Sequence, residues 1–537
     1  MREKQTMRDK KHKAKVLIIG LDGATWDLIK PWAEEGKLPT FKKLMEGGVY
    51  GNLKSTIPPW TIPAWNCMLT GKNPGKLGVF TFMCRSPDSY VFRPYFLLNK
   101  PPKSVLDIIS ENGKTVCAVN IPMIHYAYKI NGCMVAGWLY HPSRPITYPE
   151  ELKSELDSIT GGYEIDVIEV EVLPHEFKEI EIEGKEAFLK YLYRVTEKRA
   201  KATEYLLDKY DWDFFMVVFV GPDRIQHRLW EDKDEIEKYY QYIDKIIAKL
   251  LDKIGNNVIT ILVSDHGFGA QSKVFNISEW LIEKGLLKLR SLDKQAKVRR
   301  ILGKLGLWHF GKRLLPGKLR DHIGAGMHNI KLEEANIDWS KTRVYVSRGG
   351  WGDIYINLIG REPEGIVEPG EEYEKLRDWI IKELRKLGVN VFKKEEIYFG
   401  NYIDRAPDLI VQVDDTIHGI NPSIGYGSIF SKSNGGNHRI NGIFLAYGPG
   451  IKRGFEIENA EILDITPTIL HIMEVPIPDD TDGRVLKEIF EEESELAKKE
   501  ILYQKTYERE RIKEKIKGLK FKRNCYITNS TRNKKLV

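Results

Sequence analysis

Three short, nearly continuous apolar runs restrict the fold more than anything else in the chain. They are Val16-Leu17-Ile18-Ile19-Gly20, Phe214 through Val220, and Val258-Ile259-Thr260-Ile261-Leu262-Val263. Each is too short for a buried helix and shows no period-two alternation. Such runs read as strands of a parallel sheet covered on both faces. Each ends at residues able to bind a cation: Asp22, then Asp223 with His227, then Asp265-His266. Ligands of α/β sheets gather at the carboxyl ends of strands. The fold class expected is therefore α/β, with a site where these runs stop.

A second stretch is Pro58-Pro59-Trp60-Thr61-Ile62-Pro63-Ala64-Trp65. The prolines forbid a preceding helix and a central strand, and the residues after Pro63 read as a helix. A hydroxyl at such a loop-to-helix start lies beside unpaired helix N–H groups that suit a phosphate. The stretch alone fits a buried turn with a capping threonine equally well. The other residues tip the balance. With His438 in Gly435-Gly436-Asn437-His438, three Asp and three His lie at the ends of apolar runs. That set suggests a two-metal site with Thr61 as the nucleophile between the ions. Asp223 and His227 are spaced to share one face of a helical turn. Carboxylate and imidazole donors without cysteine suit Zn²⁺, and Mn²⁺ is the alternative.

Other elements follow from periodicity. Helices are expected near 26–36, 39–47, 105–112, 148–158, 186–209, 239–254, 371–387 and 465–473, and further strands near 115–120, 342–346, 354–358, 408–413 and 442–446. The domain reading is a basic arm over 1–15, a catalytic domain over 16–490, and a charged helical and basic tail over 491–537. Insertions are expected at about 141–185 and 294–331, the second basic and amphipathic.

The net charge of +7 misleads about partners. Residues 1–15 carry +5 and residues 501–537 carry +9, which leaves the body at −7. The basicity belongs to the tails and does not indicate a nucleic-acid-binding body. The basic insertion is expected as a solvated excursion or as a lid; it or the tails would make any contact with an anionic surface. Five scattered cysteines without a CxxC pair suit a reducing compartment, and no run is long enough to span a membrane. The compartment expected is the cytoplasm.

These motifs together resemble the alkaline phosphatase superfamily, in its type I phosphodiesterase/nucleotide pyrophosphatase branch with its prokaryotic phosphohydrolase and phosphomutase relatives. The resemblance covers most of 16–486. It implies a three-layer α/β/α sandwich with a mostly parallel, mixed central sheet and inserted cap elements. It also implies two divalent ions, one surrounded by Asp22, Thr61, Asp265 and His266, the other held by Asp223, His227 and His438. One departure matters. Where the branch usually carries an Asn that binds a phosphoryl oxygen, this chain has Phe82. Asn66 and Arg439 are the substitute candidates for substrate binding. Thr61-Ile62-Pro63-Ala64-Trp65 lacks the cysteine or serine that sulfatase relatives convert to formylglycine, which argues against sulfatase chemistry.

The expected function is hydrolysis of a small phosphodiester or pyrophosphate-linked substrate through a covalent threonine intermediate. A phosphomutase, a phosphomonoesterase or a head-group transferase on the same scaffold is the alternative. A non-catalytic binding protein is the rival of another class, and competent side chains at all seven positions argue against it.

Overall fold

The structure is a computed structural model that describes residues 14–95, 102–140, 143–166, 169–173, 176–180, 182–291, 336–347, 352–414 and 417–506. The basic insertion expected at 294–331 and most of both charged tails lie outside the described residues.

A nine-stranded sheet forms the centre. Its strands in chain order are β1 Lys15–Leu21, β2 Val49–Lys54, β3 Val116–Ile121, β4 Gly132–Ala136, β5 Thr147–Tyr148, β6 Phe214–Phe219, β7 Val258–Val263, β8 Asn441–Tyr447 and β9 Phe455–Glu461. Across the sheet they run β9-β2-β8-β7-β1-β6-β3-β4-β5. Only β8 and the short edge strand β5 run against the rest. The three apolar runs are the adjacent central strands β7, β1 and β6, as buried parallel strands should be.

Both faces are covered. Val16, Ile18, Phe214, Met216 and Val218 point to one side. The helices Thr61–Thr70, Val105–Glu111 and Ile465–Ile472 pack there. Leu17, Ile19, Phe215, Val217 and Phe219 point to the other, against Trp26–Glu34, Pro39–Gly47, Lys185–Lys209 and Lys233–Ile254. Each large apolar side chain so buried contributes about 1.5–3 kcal/mol. The result is a three-layer α/β/α sandwich with a mostly parallel central sheet.

An antiparallel ribbon leaves the sheet next to the central strands. Gly267–Asn276 pairs with Phe430–Arg439 from Gly267 opposite Arg439 to Phe275 opposite Phe430. Beyond it lies a second unit with its own apolar core. Strands Val344–Val346, Asp353–Ile356, Leu409–Val411 and Val391–Lys393 form its antiparallel sheet. Helices Ile277–Glu283 and Glu371–Arg385 pack on it. The inserted cap therefore occupies far more chain than the basic segment at 294–331.

The tail boundary at 491 also shifts. Leu496 is buried, His471 Nε2 lies 2.9 Å from its carbonyl oxygen, and Ile477 pairs with Tyr503. The compact body thus runs through Gln504. The charged composition of 491–504 conceals one apolar anchor and a strand held by backbone partners.

Candidate functional site

The order of the central strands explains how distant residues meet. β1 lies between β6 and β7 and runs parallel to both. The residues just past their carboxyl ends therefore stand side by side: Asp22 after β1, Asp223 after β6, Asp265-His266 after β7. β8 runs antiparallel to β7, so its start lies at that same edge. His438 sits one step earlier, on the ribbon, opposite Phe268.

Asp223 opens the helix Gly221–Leu229, with Pro222 in its first turn, and His227 follows one turn later. Their side chains meet, His227 Nε2 to Asp223 Oδ1, at 3.2 Å. Thr61 is the first residue of the helix Thr61–Thr70, after the extended Trp60. Ala64 N–H closes the first turn on Trp60 C=O, and Pro63 has no N–H. The N–H groups of Thr61 and Ile62 thus lie ahead of the helix hydrogen bonds.

Two triads result. Asp22, Asp265 and His266 form one; Asp223, His227 and His438 form the other, with the ligating atoms of each triad within 4.8 Å of one another. In the first, His266 Nε2 is 3.3 Å from Asp265 Oδ2 and 3.6 Å from Asp22 Oδ1. In the second, His438 Nε2 is 3.4 Å from Asp223 Oδ1 and 2.9 Å from His227 Nε2. The rings of His266 and His438 stack at 3.6 Å, which joins the triads. Thr61 Oγ1 is 3.3 Å from His266 Nε2. All seven expected residues come together.

The far sides of the ligands are fixed. His266 Nδ1 faces its neighbour's carbonyl, Gly267 O, at 3.0 Å, and His438 Nδ1 faces Pro59 O at 2.9 Å. Donation at Nδ1 leaves each Nε2 lone pair directed at the cluster. Gly23 N–H donates to Asp265 Oδ1 and Trp65 Nε1–H to Asp22 Oδ2, both at 3.2 Å. The other oxygens, Asp22 Oδ1, Asp223 Oδ1 and Asp265 Oδ2, are buried without a hydrogen-bond partner. One orphaned oxygen per aspartate, each facing an imidazole nitrogen, is a donor set that fits a cation.

The electrostatics agree. Burial, then the charges of Asp265 and Asp223, raise Asp22 well above the usual carboxylate range. Burial and the charge of Asp223 push Asp265 up to about 8. Burial would raise Asp223 too, but the imidazoles of His227 and His438 hold it well below. Burial drives His438 down to about 3 and lowers His266. Three buried carboxylates crowded beside three imidazoles form a setting whose negative charge a divalent cation in each triad would offset.

The substrate-binding candidates sit differently. Asn66 donates its amide to Ile62 O at 2.8 Å, within its own helix. Arg439 donates to His438 O at 2.9 Å and to Ala270 O on the ribbon. Phe82 meets Trp138 edge-on at 5.8 Å. Two supporting groups escaped the sequence reading. Trp65 lies one turn after Thr61, a spacing that could have flagged it. Arg224 lies between two ligands on one helix.

A family profile described as type I phosphodiesterase / nucleotide pyrophosphatase matches residues 16–421. No curated protein matches the sequence. Human ectonucleotide pyrophosphatase / phosphodiesterase 5 is a solved structure similar to this one, with 16% identity, 86% of this chain and 95% of that one covered, and a TM-score of 0.49. The murine protein of that name gives 15%, 89%, 100% and 0.47. A variant of the alkaline phosphatase PafA gives 15%, 89%, 99% and 0.46. On the family match over most of its length, the chain belongs to the type I phosphodiesterase/nucleotide pyrophosphatase family of phosphoester hydrolases.

Proposed function

We propose that this chain hydrolyses a small phosphodiester or pyrophosphate-linked substrate through a covalent intermediate on Thr61. The observation that carries the proposal is the position of Thr61 Oγ1, at a helix start, 3.3 Å from a ligand of the first triad. Asp22, Asp265 and His266, joined by Thr61 Oγ1, would hold one divalent cation, and Asp223, His227 and His438 the other. Zn²⁺ suits these donors, and Mn²⁺ is the alternative. Bound there, the pair would supply the positive charge that favours a threonine alkoxide and an anionic leaving oxygen.

The chain's own groups do the rest. Thr61 Oγ1 attacks phosphorus, the P–O bond to the leaving group breaks, the hydroxyl proton leaves with the departing oxygen, and a phosphoryl or nucleotidyl ester of Thr61 remains. Water then attacks phosphorus, the P–Oγ1 bond breaks, the water hydroxyl stays on the released phosphate, and the water's other proton returns to Thr61. The N–H groups of Thr61 and Ile62 precede the helix hydrogen bonds and would donate to a phosphoryl oxygen, whose charge the helix dipole favours. With Phe82 in place of an amide and Asn66 turned to Ile62, these groups are the assigned oxygen donors. Arg439, anchored to backbone carbonyls, is assigned to the rim. Cys67, Cys84, Cys117 and Cys133 are free, which supports a reducing compartment such as the cytoplasm.

The stereochemistry at phosphorus tests the covalent step. A chiral thiophosphate diester turned over with retention fits two displacements. Inversion would remove Thr61 from the nucleophile role.

A further inference from the structure

The helix Gly221–Leu229 presents a third charged group between its two ligands. Arg224 Nη1–H donates to Asp223 Oδ2 at 3.2 Å, and Nη2–H donates to Asp166 Oδ2 at 2.8 Å. The guanidinium carbon lies 4.4 Å from the centroid of the Trp138 ring. Phe82 supports Trp138 from the side. The Arg224 side chain is 11% exposed and that of Asp166 is 3% exposed. Placing three charges in so dry a setting is costly, and such groups are a weak source of stability. Their position against a ligand is the more informative fact.

Asp223 divides its two oxygens. Oδ1 faces His227 and His438 and has no hydrogen bond; Oδ2 is held by Arg224. A carboxylate free at both oxygens turns about its Cβ–Cγ bond. Tethering Oδ2 fixes the direction of Oδ1. We infer that Arg224 is a positioning residue for Asp223, with Asp166 and Trp138 holding the guanidinium in plane. The inference rests on the proposed two-cation site. It also gives Phe82 a use: its ring braces the Trp138–Arg224 stack.

Partners behind a ligand typically govern metal affinity by roughly 10–100-fold. Equilibrium dialysis with Zn²⁺ tests this on the full chain. Wild type should bind two equivalents, and His438→Gln identifies which belongs to the second triad. Arg224→Gln and Asp166→Asn should weaken that equivalent by roughly 10–100-fold and leave the other unchanged. Arg224→Lys should fall between, since it keeps the charge and loses the planar fork. Trp138→Phe keeps a stacking face and should stay near wild type. Unchanged affinities in Arg224→Gln and Asp166→Asn, or equal weakening of both equivalents, would overturn the inference. Should Arg224→Gln fail to fold, Asp166→Asn decides alone. A wild type that binds fewer than two equivalents removes the two-cation reading itself, and this inference with it.

Discussion

Deleting the oxygen of Thr61 separates attack from cation binding. Thr61→Ala keeps six of the seven proposed ligands, so it should still bind Zn²⁺ while turnover falls by several orders of magnitude. Thr61→Ser restores the oxygen without the methyl group that limits its rotamer. It should recover part of the rate, which burst kinetics with a chromogenic diester would show. A second residue tests pH. Asp353 in the cap is buried and pushed up to about 7, although Ser347 Oγ–H donates to it at 3.0 Å. An unfolded aspartate titrates near 3.9. Between those values the folded state keeps a proton that the unfolded state releases. The contribution of Asp353 to stability is therefore full below about pH 4 and is lost as pH rises through about 7. Asp353→Asn should melt at a higher temperature than wild type at pH 8 and equally at pH 4. Of the residues in the cluster, Asp22, Asp223, Asp265 and His266 were legible because each follows an apolar run, and His227 by its spacing from Asp223; His438 stands in a glycine-rich, polar stretch. The spacing of Trp65 one turn after Thr61 hints at the site, but nothing local in sequence shows that its indole reaches Asp22.

At the scale of elements, β1 and the Thr61 helix meet without slack. A methyl group on Gly20 would lie 2.6 Å from Trp65 Cη2 and 2.8 Å from Val218 Cγ2. Trp65 cannot retreat, being fully buried, and its Nε1–H holds Asp22. Gly20→Ala should cost about 1–3 kcal/mol by overpacking. It should also weaken cation binding at the first triad, which calorimetric titration alongside thermal melting would detect. A stability loss with unchanged binding would show that the helix shifts without moving Asp22. The apolar strands and amphipathic helices were readable because their side chains report their burial. The ribbon was not. Gly267–Asn276 and Phe430–Arg439 are rich in glycine and polar residues, and the backbone ladder that joins them leaves no period-two signal.

For the whole molecule, chelation gives the broadest test. Exhaustive removal of divalent ions should abolish turnover, and Zn²⁺ or Mn²⁺ should restore it. Full activity with metal absence confirmed would end the two-cation proposal. The end of the body gives another. A chain stopped after Thr506 keeps the Ile477–Tyr503 pairing and buried Leu496, and should melt as wild type does. One stopped after Phe490 loses both and should melt at a lower temperature. The layered architecture was legible at this scale; the extent of the cap was not, because its short strands alternate with charged helices and lie far apart in sequence.

The ribbon has a further consequence. Its last pair sets Phe275 opposite Phe430, so the chain enters and leaves the cap through one doorway two strands wide. Every proposed ligand lies outside that doorway: Asp22, Thr61, Asp223, His227, Asp265 and His266 come before it, and His438 comes after. A lid of another length or chemistry can thus be stitched in between these two positions without rerouting the chain through the ligands. The seven proposed ligands can then be kept while the inserted unit is exchanged as a single cassette.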